Sequence, residues 1–136
     1  MNNNRLIDCI TFFDNILMFE LRFNILKDYV DQFVICESKY DHRNKEKKLN
    51  FDLKFLKEDK IKYVVLDKPF PNQTDIWENQ AIQREFLLNS LDEFVEKDDF
   101  IFLTSFHMAI PPTSSSAILS YTIAYREGKK ISKGYR

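Results

Sequence analysis

Four short stretches of this 136-residue chain carry residue types that could hold a ligand. Phe12 and Phe13 close one apolar run, and Glu37 and Ser38 close another. A carboxylate and a hydroxyl at such a point could hold a nucleotide, or the carboxylate could be capped by local amides. His42 follows in a polar loop beside Asp41; it could make a donor or acceptor contact or be simply solvated. No nucleophile lies next to it in sequence, so a catalytic dyad has no support. Lys45, Lys47 and Lys48 could meet a diphosphate, although a charged loop is more often only solvated and Glu46 dilutes the patch. Trp77, Glu78, Asn79, Gln83 and Arg84 lie near the start of a helical pattern. A helix N-terminus favours an anionic phosphate, and Arg84 brings a forked donor set. The Trp77 ring could stack on a base or sugar, or close the sheet edge. The structural alternative is a helix cap with a surface arginine.

The elements that must position these residues alternate. Arg5 to Phe13, Gln32 to Glu37, Lys62 to Leu66 and Phe100 to Thr104 are short, apolar and rich in β-formers, as strands buried on both faces are. Residues 15–29 form a helix, with Ile16, Leu17, Phe19, Phe23, Leu26 and Tyr29 inward. Ser38 to Asn50 reads as a long polar loop, and Phe51 to Glu58 as a short amphipathic helix with Phe51, Phe55 and Leu56 inward. Asp75 to Val95 carries the longest helical period, through Ile76, Ile82, Phe86, Leu87, Leu91, Phe94 and Val95. A last short helix is expected over Ala117 to Tyr125. Strand and helix in alternation predict a mostly parallel α/β sheet covered on both faces. Ligands bind such sheets beyond the carboxyl ends of the strands, which is where Phe12 to Asn15, Glu37 to His42, Asp67 to Trp77 and Thr104 to Pro111 fall. Asp98 and Asp99 lie at the opposite end of their strand and read as turn residues.

Composition narrows the classes. The chain is 44% hydrophobic with thirteen Phe, enough for one core and too apolar for a disordered segment. Its net charge of −1 implies no bulk attraction to nucleic acid. No apolar run suits a signal peptide or a membrane anchor. Cys9 and Cys36 fall inside predicted strands and read as reduced core thiols, which suits a cytoplasmic protein. No Cys/His spacing suggests zinc. The balance shifts along the chain: residues 1–104 hold 15 basic and 20 acidic side chains, residues 105–136 hold 5 and 1, with six of the eight Ser.

Several local patterns coincide in order and spacing. Phe12-Phe13-Asp14-Asn15 is followed by Glu20-Leu21-Arg22, then by Val30-Asp31-Gln32-Phe33-Val34-Ile35-Cys36-Glu37-Ser38. His42 and Lys48-Leu49-Asn50-Phe51 come next, then Trp77-Glu78-Asn79 with Gln83-Arg84, and last Asp98-Asp99 before an apolar strand. Over about residues 6–104 this resembles glycosyltransferase family 17, the β-1,4-mannosyl-glycoprotein N-acetylglucosaminyltransferase family.

The resemblance implies a GT-A-like, Rossmann-type fold that moves N-acetylglucosamine from a UDP-sugar donor to a carbohydrate acceptor. It implies a divalent metal, Mn or Mg, between acidic side chains and the diphosphate. It assigns nucleotide-sugar binding to Phe12, Phe13, Glu37, Ser38, His42, Trp77, Asn79, Gln83 and Arg84; Glu20 and Arg22 on the first helix match the family too, but read as structural salt-bridge residues. Aligning Ile110-Pro111 on the family's Ile-Pro puts Phe106 and Met108 where its metal-motif aspartates stand, Ala109 where its Glu stands, and Ser105 on its Ser. Phe and Met offer a hard cation no oxygen, and His107 between them does not replace two carboxylates. No metal ligand is therefore assigned. The expectation is a nucleotide-sugar-binding half over residues 1–104, incomplete at its C-terminus and impaired, with residues 105–136 a divergent tail carrying one short helix. That tail would be a frameshifted, truncated or decayed copy, or a genuine short form. The alternative function is a non-enzymatic α/β binding or interaction module. Phe106 and Met108 beside an open sheet edge also predict self-association.

Overall fold

A computed structural model of the chain describes residues 4–71, 75–93, 95–96, 98–105, 122–127 and 130–131, with the backbone alone from residue 104 onward. Six strands form one sheet in the order β3-β2-β1-β4-β5-β6. They are β1 (Leu6–Phe12), β2 (Gln32–Ser38), β3 (Ile61–Leu66), β4 (Phe100–Ser105), β5 (Thr122–Glu127) and β6 (Lys130–Ile131). The first four are mutually parallel, and β5 and β6 add on antiparallel. The sheet is therefore mostly parallel and flanked by helices, the α/β class that alternating strand and helix signals predict.

Two apolar clusters, one on each face, explain why the strands read as unbroken apolar runs. Ile10, Phe12, Phe33, Ile35 and Ile61 meet Phe19 and Phe23 of α1 (Ile16–Leu26), together with Phe51 and Phe55. Ile7, Cys9, Val34, Cys36 and Ile101 meet Leu87, Leu88 and Leu91, the first two from α2 (Ile76–Ser90). The α1 face is an aromatic stack, with the Phe19 ring 5.0 Å from Phe51 and 5.1 Å from Phe55, both edge to face.

Several boundaries differ from the sequence expectation. α1 stops at Leu26, where Lys60 Nζ donates to the Lys27 and Val30 carbonyls at 2.6 and 3.0 Å and closes the helix end. Only the i, i+4 pair Phe19 and Phe23 is buried in it; Leu17 is 72% exposed and Tyr29, beyond the helix, 76%. The helix is apolar almost all round, so periodicity did not single out the buried side. The expected helix over 51–58 is a 3-10 turn, Leu53–Lys57, whose tighter repeat turns Phe55 inward and leaves Leu56 exposed. α2 ends at Ser90, followed by a 3-10 turn at Leu91–Glu93, and Ile76 is exposed on its first turn. Phe94 lies outside the described residues. The expected helix over 117–125 is not found where it can be checked: Thr122 to Tyr125 belong to β5 and pair with β4, while residues 117–121 lie outside the described residues.

Two buried carboxylates tie helices and loops to β1. Asp8, pointing toward α1, takes a bidentate pair from Arg22 at 2.6 and 2.8 Å. Asp99 closes the expected turn, its N–H donating to the Glu96 carbonyl at 3.2 Å, and its side chain does more. It is buried, accepts from Arg5 Nη2 at 2.6 Å and Nε at 3.2 Å, and takes the Glu96 N–H at 2.8 Å. Burial pushes its carboxyl up, but Arg5 and the backbone donors outweigh burial and hold it below the usual 3.8.

Candidate functional site

The chain leaves β1 through α1 to β2 on one face, and leaves β3 through α2 to β4 on the other. β1 and β4 are nevertheless neighbours, in register from Leu6↔Phe100 to Thr11↔Ser105. The diverging connections make the β1 and β4 ends the switch point, the place beyond which open α/β sheets take ligands. Phe13 stands at its β1 side, 37% exposed, just past Phe12, whose ring is buried edge-on to Phe51 at 5.4 Å.

Next to it, residues 39–50 form an ordered hairpin rather than a slack loop. Tyr40 bridges Glu46, and the Lys47 N–H donates to the Lys39 carbonyl at 2.8 Å. At the tip, Asp41 Oδ1 accepts the N–H groups of Arg43 and Lys45, both at 2.9 Å. Asn44 takes φ 65°, a left-handed conformation that Asn tolerates better than most residues. Its side chain exchanges two hydrogen bonds with the Phe70 backbone, at 2.9 and 3.0 Å.

The hairpin is clamped from both faces of the sheet. On the α1 side the fully buried Glu37 is the anchor. Its Oε1 accepts from Lys47 Nζ at 2.8 Å and the Asn50 N–H at 2.7 Å; its Oε2 accepts from Tyr63 Oη at 2.6 Å and the Phe51 N–H at 3.1 Å. Four donors on two oxygens make a buried carboxylate tolerable. Burial and the bond to Glu37 together raise the Tyr63 phenol well above its ordinary value. Asn50 Nδ2 donates to the Phe13 carbonyl at 2.9 Å, and Lys47 Nζ lies 5.4 Å from the Phe13 ring centroid. The exposed ring is thus held at backbone and face.

On the other face α2 does the clamping. Asp75 caps it, accepting from the Trp77 and Glu78 N–H groups at 3.0 and 3.2 Å. Asn79 and Gln83, four residues apart, point inward together. Asn79 donates to the His42 carbonyl at 3.0 Å. Gln83 Nε2 donates to the Cys36 carbonyl at 3.2 Å, and its Oε1 lies 2.7 Å from His42 Nε2. With the amide so oriented, Oε1 can only accept, so Nε2 of His42 carries the proton. Ser38 Oγ accepts the Tyr40 N–H at 3.0 Å. Burial, more than the neighbouring Glu37, pushes the Cys36 thiol up to about 12 despite the contact with Gln83; burial raises Cys9 further.

The nine residues assigned by resemblance therefore fall into separate places. His42, Asn79, Gln83 and Ser38 come together at the end of β2 on the α2 side. Glu37 and Phe12 are buried toward α1, and Phe13 lies just past β1 against Lys47 and Asn50 of the hairpin. Trp77, 65% exposed, and the half-buried Arg84 lie two turns apart along α2, on the stripe that continues into the buried Leu88 and Leu91. Sequence reading missed Lys47, Asn50 and Tyr63 as partners of Glu37. The available signal was a carboxylate in a strand buried on both sides, which demands donors. Among the described residues no group of three or more His, Cys, Asp and Glu is placed to hold a metal. Phe106, Met108 and Ala109 lie outside them, and their side chains carry no oxygen for a hard cation. Among the described residues, none are arranged to fit a metal bridging a diphosphate. None of the described helices is long and apolar enough to cross a membrane.

No curated protein and no solved structure matched the chain. A family model, Glycosyltransferase family 17, matches residues 1–124. A match over most of the chain, on a mostly parallel α/β sheet, makes this protein a member of glycosyltransferase family 17.

Proposed function

We propose that the chain is a sugar-transfer domain that takes a UDP-sugar donor in the crevice beyond β1 and β4, with Phe13 against the nucleoside. The observation that carries this is the adjacency of the β1 and β4 ends, in register to Thr11↔Ser105, beside one fixed, exposed aromatic ring. N-acetylglucosamine is the sugar the family resemblance favours, and a carbohydrate the acceptor. Transfer is impaired, because Phe106, Met108 and Ala109 stand where the family places the acids that hold Mn or Mg. The two free, buried thiols suit the cytoplasm.

Titration with UDP-N-acetylglucosamine, followed by amide NMR, tests the site. Saturable shifts are expected at Thr11, Phe13, Thr104 and Ser105; no saturable shift there at millimolar donor overturns it. Phe106→Asp with Met108→Asp is expected to add Mn-dependent UDP affinity, and unchanged affinity overturns the assignment of those positions. The missing acids also favour a second reading, a non-enzymatic module that keeps the donor surface. Donor binding without any hydrolysis or transfer over a day would select it.

A further inference from the structure

α1 is apolar on the side it turns to solvent as well as on the side it buries. Its exposed residues are Leu17, Met18, Leu21, Asn24 and Ile25, and none is charged. At about 3.6 residues per turn, Leu17, Leu21 and Ile25 form one i, i+4, i+8 row opposite the buried Phe19 and Phe23, with Met18 beside it. Tyr29, in the turn that continues the helix, lengthens the row. These five large side chains expose 43 to 76% of their surface. A surface helix ordinarily shows water a charged face, and a helix that is apolar all round is a buried one. The row leaves on the order of 500 Å² of apolar surface, as much as the largest patch a monomer usually shows.

Three observations say what covers it. The row is symmetric about Leu21, so an antiparallel copy of α1 on a twofold axis sets Leu21 against its own counterpart and Leu17 of each copy against Ile25 of the other. A twofold axis brings a surface against itself, which an uncharged row tolerates and a charged face does not. Two such rows together bury on the order of 1,000 Å², where specific interfaces begin. A lipid surface fits less well. Helices that lie on membranes carry a rim of Lys and Arg, and the one basic residue of α1, Arg22, is bound to the buried Asp8.

We propose that the outer face of α1 is a self-association surface, through which two copies of this chain pair with their α1 helices antiparallel about Leu21. The surface is separate from the donor site proposed above and does not depend on it. α1 starts just past Phe13, so the antiparallel pairing keeps the β1 ends of the two copies about one helix length apart, roughly 16 Å.

Sedimentation velocity of the full chain, from about 1 μM to about 500 μM, tests the pairing. A monomer at the low end and a dimer at the high end are expected, with a midpoint on the order of tens of micromolar, as suits an interface of this size. Leu21→Glu sets two carboxylates on the axis and is expected to raise the midpoint about tenfold or more. Leu17→Glu and Ile25→Lys are each expected to weaken the dimer, and the two in one chain to recover it at low salt, because antiparallel pairing sets opposite charges together. The control is Ile76→Glu, exposed on α2 across the sheet, which should leave the midpoint where it is. A monomer throughout the range, a dimer that Leu21→Glu leaves intact, or an equal loss in Ile76→Glu overturns the inference. A double variant no better than its singles overturns the pairing about Leu21. Phosphatidylcholine vesicles are run alongside: a chain that stays monomeric and binds them, and stops binding in Leu21→Glu, gives the face to lipid and overturns the inference as well. Every substituted side chain is exposed, and thermal melts of the dilute variants accompany the runs, so that unfolding is not read as dissociation.

Discussion

Lys47 Nζ sits 2.8 Å from Glu37 Oε1, and the carboxylate it meets is fully buried at the end of β2. Removing the lysine leaves that charge without its counter-ion in the core. Lys47→Met is therefore expected to cost about 3 to 5 kcal/mol, read from the midpoint of urea unfolding, with Lys47→Arg losing less. A loss below about 1 kcal/mol would mean that the three neutral donors suffice.

The aromatic stack under α1 predicts a contrast within one helix. Phe19→Ala empties a site enclosed by Phe23, Phe51 and Phe55 and is expected to cost about 3 to 5 kcal/mol. Leu17→Ala, two residues away on the exposed side, should stay within about 0.5 kcal/mol. Denaturant unfolding of the two variants side by side decides it; equal losses would place α1 the wrong way round.

Asp99 fixes the acid limb of stability. Its carboxyl lies below the usual 3.8 in the folded chain, so the folded state releases that proton more readily than the unfolded one. The stabilisation is full above pH 3.8 and is lost as pH falls through the folded value. Asp99→Asn should flatten this part of the stability curve, leaving a protein that is weaker at neutral pH and less sensitive to acid. An unchanged slope between about pH 5 and pH 2 would remove Asp99 from that role.

Cys9 and Cys36 are buried and held as thiols, Cys36 up to about 12. Neither is expected to react with a disulfide reagent at pH 8 while the chain is folded, and both should react in guanidinium. Rapid labelling of the folded protein would contradict the burial.

The four parallel strands were legible because β1 and β2 are covered on both faces and so show as apolar runs with β-branched and aromatic content. Their register on one another also follows from that cover. The hairpin was not legible, because what orders it is remote: Glu37 with Lys47 and Asn50, Asn44 with Phe70, His42 with Gln83. None of these pairs has a local signature, and a run of lysines with Asp, Asn and Glu looks like solvated chain. The inward side of α1 was obscured for the opposite reason, since Leu17, Met18, Leu21 and Ile25 are as apolar as the residues it buries. Of the assigned residues, strand order placed Phe13, Glu37 and Ser38 at or just past the carboxyl ends of β1 and β2, where the structure has them. Sequence could not say that Glu37 spends both oxygens on protein donors.

That expenditure bears on how a family signature is to be interpreted. Glu37, His42, Asn79 and Gln83 are the letters by which the chain is recognised, and each is occupied in fixing one hairpin to one sheet. Each is accounted for by the fold it holds, so a substitution at any of the four is first a loss of order in the hairpin.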